Sequence, residues 1–152
     1  MIANLLLVFK QSPERLIDAL RENEQHVTSW RDVSDFNCWS DDEPPATDIL
    51  SARLRAKYYG AHYVCTRPYL DFVLHVKDKV RYGERLEDVC VDARGDPRPN
   101  ELALFRAIAL MDEDDVTAAV GRCIRAAVHS TTALDGVEGK LIVTNPMGTA
   151  HA

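Results

Sequence analysis

Apolar residues recur at helical spacing along much of the chain, and the longest such run is Ile49 to Val76, ILSARLRAKYYGAHYVCTRPYLDFVLHV. Leu50, Leu54, Ala61 and Cys65, with Tyr58 beside them, form one stripe that predicts a helix facing a core. Past Pro68 a second stripe runs through Tyr69, Phe72, Val73, Val76 and Val80. Pro68 lacks the amide proton that would bond the carbonyl of Val64, and Arg67 before it is pushed from helical angles. The spacing therefore predicts a helix that bends sharply, or breaks and restarts, at Arg67-Pro68. Gly60 inside this helix costs about 1 kcal/mol relative to alanine, which points to a close neighbour there.

Shorter patterned runs flank the central one. Ser12-Pro13-Glu14 has the chemistry of a helix start, and Leu16, Ile17, Leu20, Val27 and Trp30 then line one face as far as about Asp32. Met1 to Lys10 reads as the tail of a helix. Asn100 is placed to cap a short helix through Leu102, Leu104, Phe105, Ile108 and Ala109. Asp112 and Asp115 have capping-box spacing ahead of a stripe of Val116, Ala119, Val120, Cys123, Ile124 and Ala127, ended by Gly136 and Gly139. Ser40 to Thr47 is a polar connection with two prolines, and Trp39 at its edge is expected to anchor it against the helices. Arg81 to Asn100 is irregular, with a short helix expected around Glu84 to Val89. Leu141 to Thr144 is expected to be extended coil. The sum is an all-α fold of four or five helices around a long central helix bent at Pro68, read as one helical region.

The 152 residues suffice for one domain, and 46% hydrophobic with 28% charged residues describes a globular chain. A net charge of -6 opposes unaided binding to a phosphate backbone, so affinity for duplex DNA is expected to be weaker than ordinary non-specific binding. No apolar run approaches a membrane span. Cys38, Cys65, Cys90 and Cys123 show no paired metal-ligand spacing and read as reduced thiols.

Candidate chemistry is sparse. His62 and Cys65 lie one turn apart and, with His75 or His129, would make an incomplete metal site; a core or rim histidine beside a buried thiol is the favoured reading. Asp71 and His75 have the spacing of a carboxylate orienting an imidazole, but no nucleophile accompanies them. Phosphate loops and nucleophile elbows are absent. Arg53, Arg55, Lys57 and Arg67 are expected to pair with acidic segments such as Asp41 to Glu43 or Asp112 to Asp115. Tyr58, Tyr59 and Tyr63 are expected to pack helix against helix. Catalytic and cofactor-binding residues are not assigned.

Three segments carry a family resemblance. LRAKYYGAHYVCTRPYL, with Leu54, Arg55, Lys57, Tyr58, Tyr59, Gly60, Arg67 and Pro68, resembles a segment in the C-terminal regulatory region of fungal transcription factors with a binuclear zinc cluster. LIVTNPMGTAHA, with Thr144, Asn145, Gly148, Thr149 and His151, is similar to a second segment of the same proteins. WSDDEPP, Trp39 to Pro45, resembles their acidic lead-in. The matches span the chain from about Leu20, with Arg81 to Pro99 matching loosely.

The resemblance implies a nuclear, non-enzymatic regulatory region that engages effectors or coregulators. The six-cysteine, zinc-holding DNA-binding module of that family is not present in these residues, so no zinc and no direct nucleic-acid contact are expected of this chain. The family pattern continues beyond GTAHA as another apolar helix. The resemblance thus implies an incomplete part of a larger regulatory domain, whose remainder would be a partner, and self-association or loose packing of the isolated chain is expected. The competing expectation is a free-standing helical domain that binds a small molecule or a partner helix.

Overall fold

A computed structural model describes residues 12–32 and 39–138. They form α1 (Pro13–Asp32), α2 (Ile49–Phe72), α3 (Leu86–Val89), α4 (Pro99–Ala109) and α5 (Glu113–Thr132). α2 continues without interruption into a π turn, Val73–Lys77, and a last α turn, Asp78–Arg81. Among the described residues the sole β pairing is an isolated bridge between Val91 and Pro97, so the fold is all-α. The helix tail expected at Met1 to Lys10, Cys38, Gly139, and the segment carrying Thr144, Asn145, Gly148, Thr149 and His151 lie outside these residues.

Local chemistry explains most of the helix starts. α1 begins at Pro13, where the missing amide proton costs nothing, and the amide of Leu16 donates to the Ser12 carbonyl at 3.2 Å. Asp48 opens α2 by accepting from the Ser51 amide at 2.8 Å. Asp112 opens α5 by accepting from the Asp114 amide at 2.8 Å, while Asp115 completes no capping box and instead pairs with Arg21 at 3.1 Å. α4 starts two residues earlier than expected. Pro99 takes the first helical position, so Asn100 lies inside the first turn rather than capping it.

Of the two outcomes expected at Arg67-Pro68, a sharp bend or a break and restart, the break does not occur. The helix passes through both residues, and the departure from α geometry comes later, at Val73–Lys77, where i→i+5 bonding widens one turn. Packing supplies the reason: Thr66, Tyr69, Phe72 and Val76 are all buried, and breaking the helix would uncover them.

The chain divides into two compact units. The first holds residues 12–23 and 66–121. Its core joins Tyr69, Phe72, Val76, Cys90, Phe105, Ile108, Val116 and Ala119, with Leu20, Leu86, Leu102 and Met111 packed against it. The Phe72 and Phe105 rings lie 6.0 Å apart. Burying side chains of this size contributes roughly 1.5–3 kcal/mol each. The irregular stretch between α3 and α4 is pinned from within. Asp92 accepts the amides of Arg94 and Asp96 at 2.8 and 3.0 Å, and Arg106 pairs with Glu87.

The second unit holds residues 24–32, 39–65 and 122–138. Its core is aromatic, with Trp39, Tyr58 and Tyr59 buried and Val27 and Leu54 against them. Ala52, Cys123, Ala126, Ala133 and Val137 are also buried. Two apolar stripes sit differently from expectation: Leu50 is 73% exposed and Ile124 is 51% exposed. The buried line of α2 runs through Ala52, Tyr58 and Tyr59 instead, because the rings carry the larger area to be removed from water. On α5 the line Val116, Ala119, Cys123 and Ala126 leaves Ile124 outward.

Candidate functional site

The densest arrangement of polar and aromatic side chains lies in the second unit, where the segment Trp39 to Pro45 meets α2. Residues four apart on a helix share a face, so Arg55 and Tyr59 rise together toward this segment. Arg55 donates to the Glu43 carboxylate and to the Pro44 carbonyl, each at 2.8 Å, and its guanidinium lies 5.7 Å from the Trp39 ring centre. The guanidinium is planar and forked, which lets one side chain stack and bond two acceptors together. The Tyr59 hydroxyl accepts from the Trp39 indole nitrogen at 3.2 Å and donates to Asp41 at 2.7 Å. The same Asp41 oxygen accepts from Arg31 at 2.7 Å.

Rings close the cluster. Trp39 meets Tyr58 edge to face at 5.3 Å, Tyr58 meets Tyr59 at 5.2 Å, and Trp30 stacks on Tyr58 at 6.2 Å. These are the offset and edge geometries that the ring quadrupole favours. His62 lies against Tyr58 at 4.7 Å, and His129 stacks on Tyr59 at the same distance. Behind the segment, Gly136 touches the backbone of Pro45 and Ala46. A Cβ at Gly136 would stand 2.7 Å from the Ala46 carbonyl oxygen, so only glycine admits this approach.

Tyr59 separates two recesses of about 220 and 210 Å³ that share Asp41, Tyr59 and His129. The first also takes in Glu43, Arg55 and Thr132; the second adds Arg31, His62, Arg122 and Arg125. Electrostatics keep each proton in place. Burial, and then the hydrogen bond to Asp41, push the Tyr59 hydroxyl up to about 12. Burial alone would raise the Asp41 carboxyl, but the Tyr59 hydrogen bond and the Arg31 charge outweigh it and hold it below the usual carboxylate range. Burial also pushes His62 down, so it is neutral at pH 7. An acid-base pair with both members displaced from neutrality suits locking better than proton transfer.

Trp39 is thus the anchor that its position predicted, and Arg55 pairs with Glu43 as the charge pattern predicted. Leu54 packs beside the rings. Gly60 lies against α5, where the Ser130 hydroxyl donates to the Ala56 carbonyl at 3.3 Å. Lys57 is exposed and, like Arg53, has no ion pair among the described residues. Arg67 and Pro68 belong to the first unit, where Arg67 pairs with Asp71 at 3.3 Å. Asp71 is therefore engaged one turn back rather than with His75. The roles of Asp41, His129 and Gly136 had no local signal, since their partners lie 10 residues or more away in sequence.

Cys65 and Cys90 are free thiols, and Cys90 and Cys123 are buried. Among the described residues no three His, Cys, Asp or Glu side chains gather at metal-binding range, and no helix is long and apolar enough to cross a membrane. Compared with known proteins, the chain matches no family model, no curated protein and no solved structure.

Proposed function

We propose that this chain is a regulatory helical region of the fungal zinc-cluster transcription factor type, working through contacts with coregulators or effectors and without catalysis of its own. The observation that carries this reading is the docking of two resembling segments on one another. The acidic lead-in, Trp39 to Pro45, and the signature residues Arg55, Tyr58 and Tyr59 are bound by the bonds and ring contacts of one cluster. Zinc would then belong to a separate DNA-binding module, and the site of action would be the nucleus.

Charge supports the division of labour. The net charge is -6, and Arg31, Arg55, Arg67 and Arg106 are each engaged with a carboxylate, which weakens their attraction for phosphates.

The test is to fuse the chain to an unrelated DNA-binding domain and measure transcription of a reporter bearing its sites. The expected result is a change in reporter output relative to the DNA-binding domain alone, abolished by Trp39→Ala with Tyr59→Phe. Unchanged output from a fusion that is expressed, folded and bound to its sites would overturn the proposal.

A further inference from the structure

The first unit carries a groove of about 400 Å³ that the cluster around Tyr59 does not use. This volume lies within the roughly 300–1,000 Å³ typical of small-molecule sites. Its floor is apolar: Val76, Cys90 and Phe105 are buried, with Val89 and Leu104 beside them. Burial raises the Cys90 thiol, so the sulfur is uncharged and adds to the apolar floor.

The rim is charged and lopsided. Arg67, Asp71, His75 and Lys79 follow one another at four-residue intervals along the helical run, and Arg98 and Glu101 face the same groove. Both acids are already neutralised, Asp71 by Arg67 at 3.3 Å and Glu101 by Arg98 at 2.9 Å. Lys79, with His75 one turn away, has no ion pair among the described residues, so the unmatched charge at the mouth is the positive charge of Lys79. His75 and Val76 come from the π turn, and such turns are frequent at functional sites because they widen a helix and re-aim its side chains.

We propose that this groove binds a small amphipathic carboxylate, its alkyl chain on Val76, Val89, Leu104 and Phe105 and its head group at Lys79 and His75. The assignment stands independently of the regulatory reading. A neutral apolar ligand would leave Lys79 unanswered, and a cation would meet the positive mouth. A small hydrophilic anion would leave the floor facing water.

The experiment is a titration of the full isotopically labelled chain with sodium octanoate, followed by amide and methyl NMR shifts, with 1-octanol as the uncharged control. Saturable shifts are expected at Val76, Val89, Leu104 and Phe105, with octanoate binding about tenfold tighter than octanol. Lys79 is exposed, so Lys79→Glu should fold normally, and it should weaken octanoate by about tenfold while leaving octanol unchanged. Octanol binding as tightly as octanoate would overturn the proposal. So would octanoate binding that Lys79→Glu does not weaken, or the absence of saturable shifts in the groove. An acidic peptide that fills the groove when octanoate does not would also count against it. Reporter output in the fusion assay reads the other proposal, so either can fail alone.

Discussion

Tyr59 donates its phenolic proton to Asp41 at 2.7 Å, and through that bond a residue of α2 holds the acidic segment of the same unit. The bond exists only while the phenol keeps its proton. In the folded chain the hydroxyl is pushed up to about 12, from an ordinary value of 10.0. A group raised by folding stabilises the native state fully below its unfolded value and loses that contribution as pH climbs through the folded one. Thermal stability should therefore fall between about pH 10 and 12, and Tyr59→Phe should remove this part of the decline. A melting series against pH for both proteins reads the difference.

Asp41 gives the opposite sign. Its carboxyl is depressed on folding from an ordinary 3.8, so its contribution is present above that value and is lost as pH falls through the lower folded one. Asp41→Asn should flatten the acid limb of the stability profile and also shrink the alkaline limb, leaving there only the part that burial of Tyr59 causes. Circular dichroism melts below pH 4 check this.

The two glycines beside α5 should answer differently to alanine. At Gly136 the added carbon would stand 2.7 Å from one backbone oxygen and 2.9 Å from another, and backbone cannot step aside cheaply. Gly136→Ala should cost about 1–3 kcal/mol. At Gly60 the nearest atom would be the Ser130 hydroxyl at 3.6 Å, an ordinary contact. Gly60→Ala should be neutral or stabilising by up to about 1 kcal/mol, since it removes helix-interior flexibility. Denaturant unfolding of both variants separates the two positions.

What the sequence made legible is local. Pro13 starts α1, Asp112 starts α5, and apolar spacing placed every long helix, because capping and periodicity act within a few residues. Trp39 was legible as an anchor because a large ring beside a polar, proline-bearing segment needs somewhere to be buried. The faces of the helices were less legible. A stripe about 100° wide tolerates rotation, and only the neighbours decide that Leu50 and Ile124 turn outward while Ala52 and Ala126 turn in. The choice at Pro68 between a bend and a break was illegible for a related reason: the packing of Tyr69, Phe72 and Val76 holds the helix together. Within the candidate site, charge complementarity pointed to Arg55 and the acidic segment. It could not choose between the oxygens of Asp41 and Glu43, nor foresee Gly136 behind them, because those pairings exist only once the fold brings them together.

The buried thiols offer a check on the two cores. Cys90 and Cys123 are both buried, and burial also pushes the Cys90 thiol up, away from the reactive thiolate. Both should resist alkylation in the native chain and react fully in denaturant. Peptide mass mapping after a short pulse of iodoacetamide reads each site separately.

The central structural claim is that Tyr59 and Asp41 act as one lock between helix and acidic segment. A double-mutant cycle with Tyr59→Phe, Asp41→Ala and the pair measures it, using denaturant unfolding of the full chain. Hydrogen bonds to charged groups contribute roughly 1.5–3 kcal/mol, so a coupling energy of about 1 kcal/mol or more is predicted, with the double variant losing less than the sum of the singles. Losses that add to within about 0.3 kcal/mol would contradict it, because two groups that do not hold one another have nothing to couple.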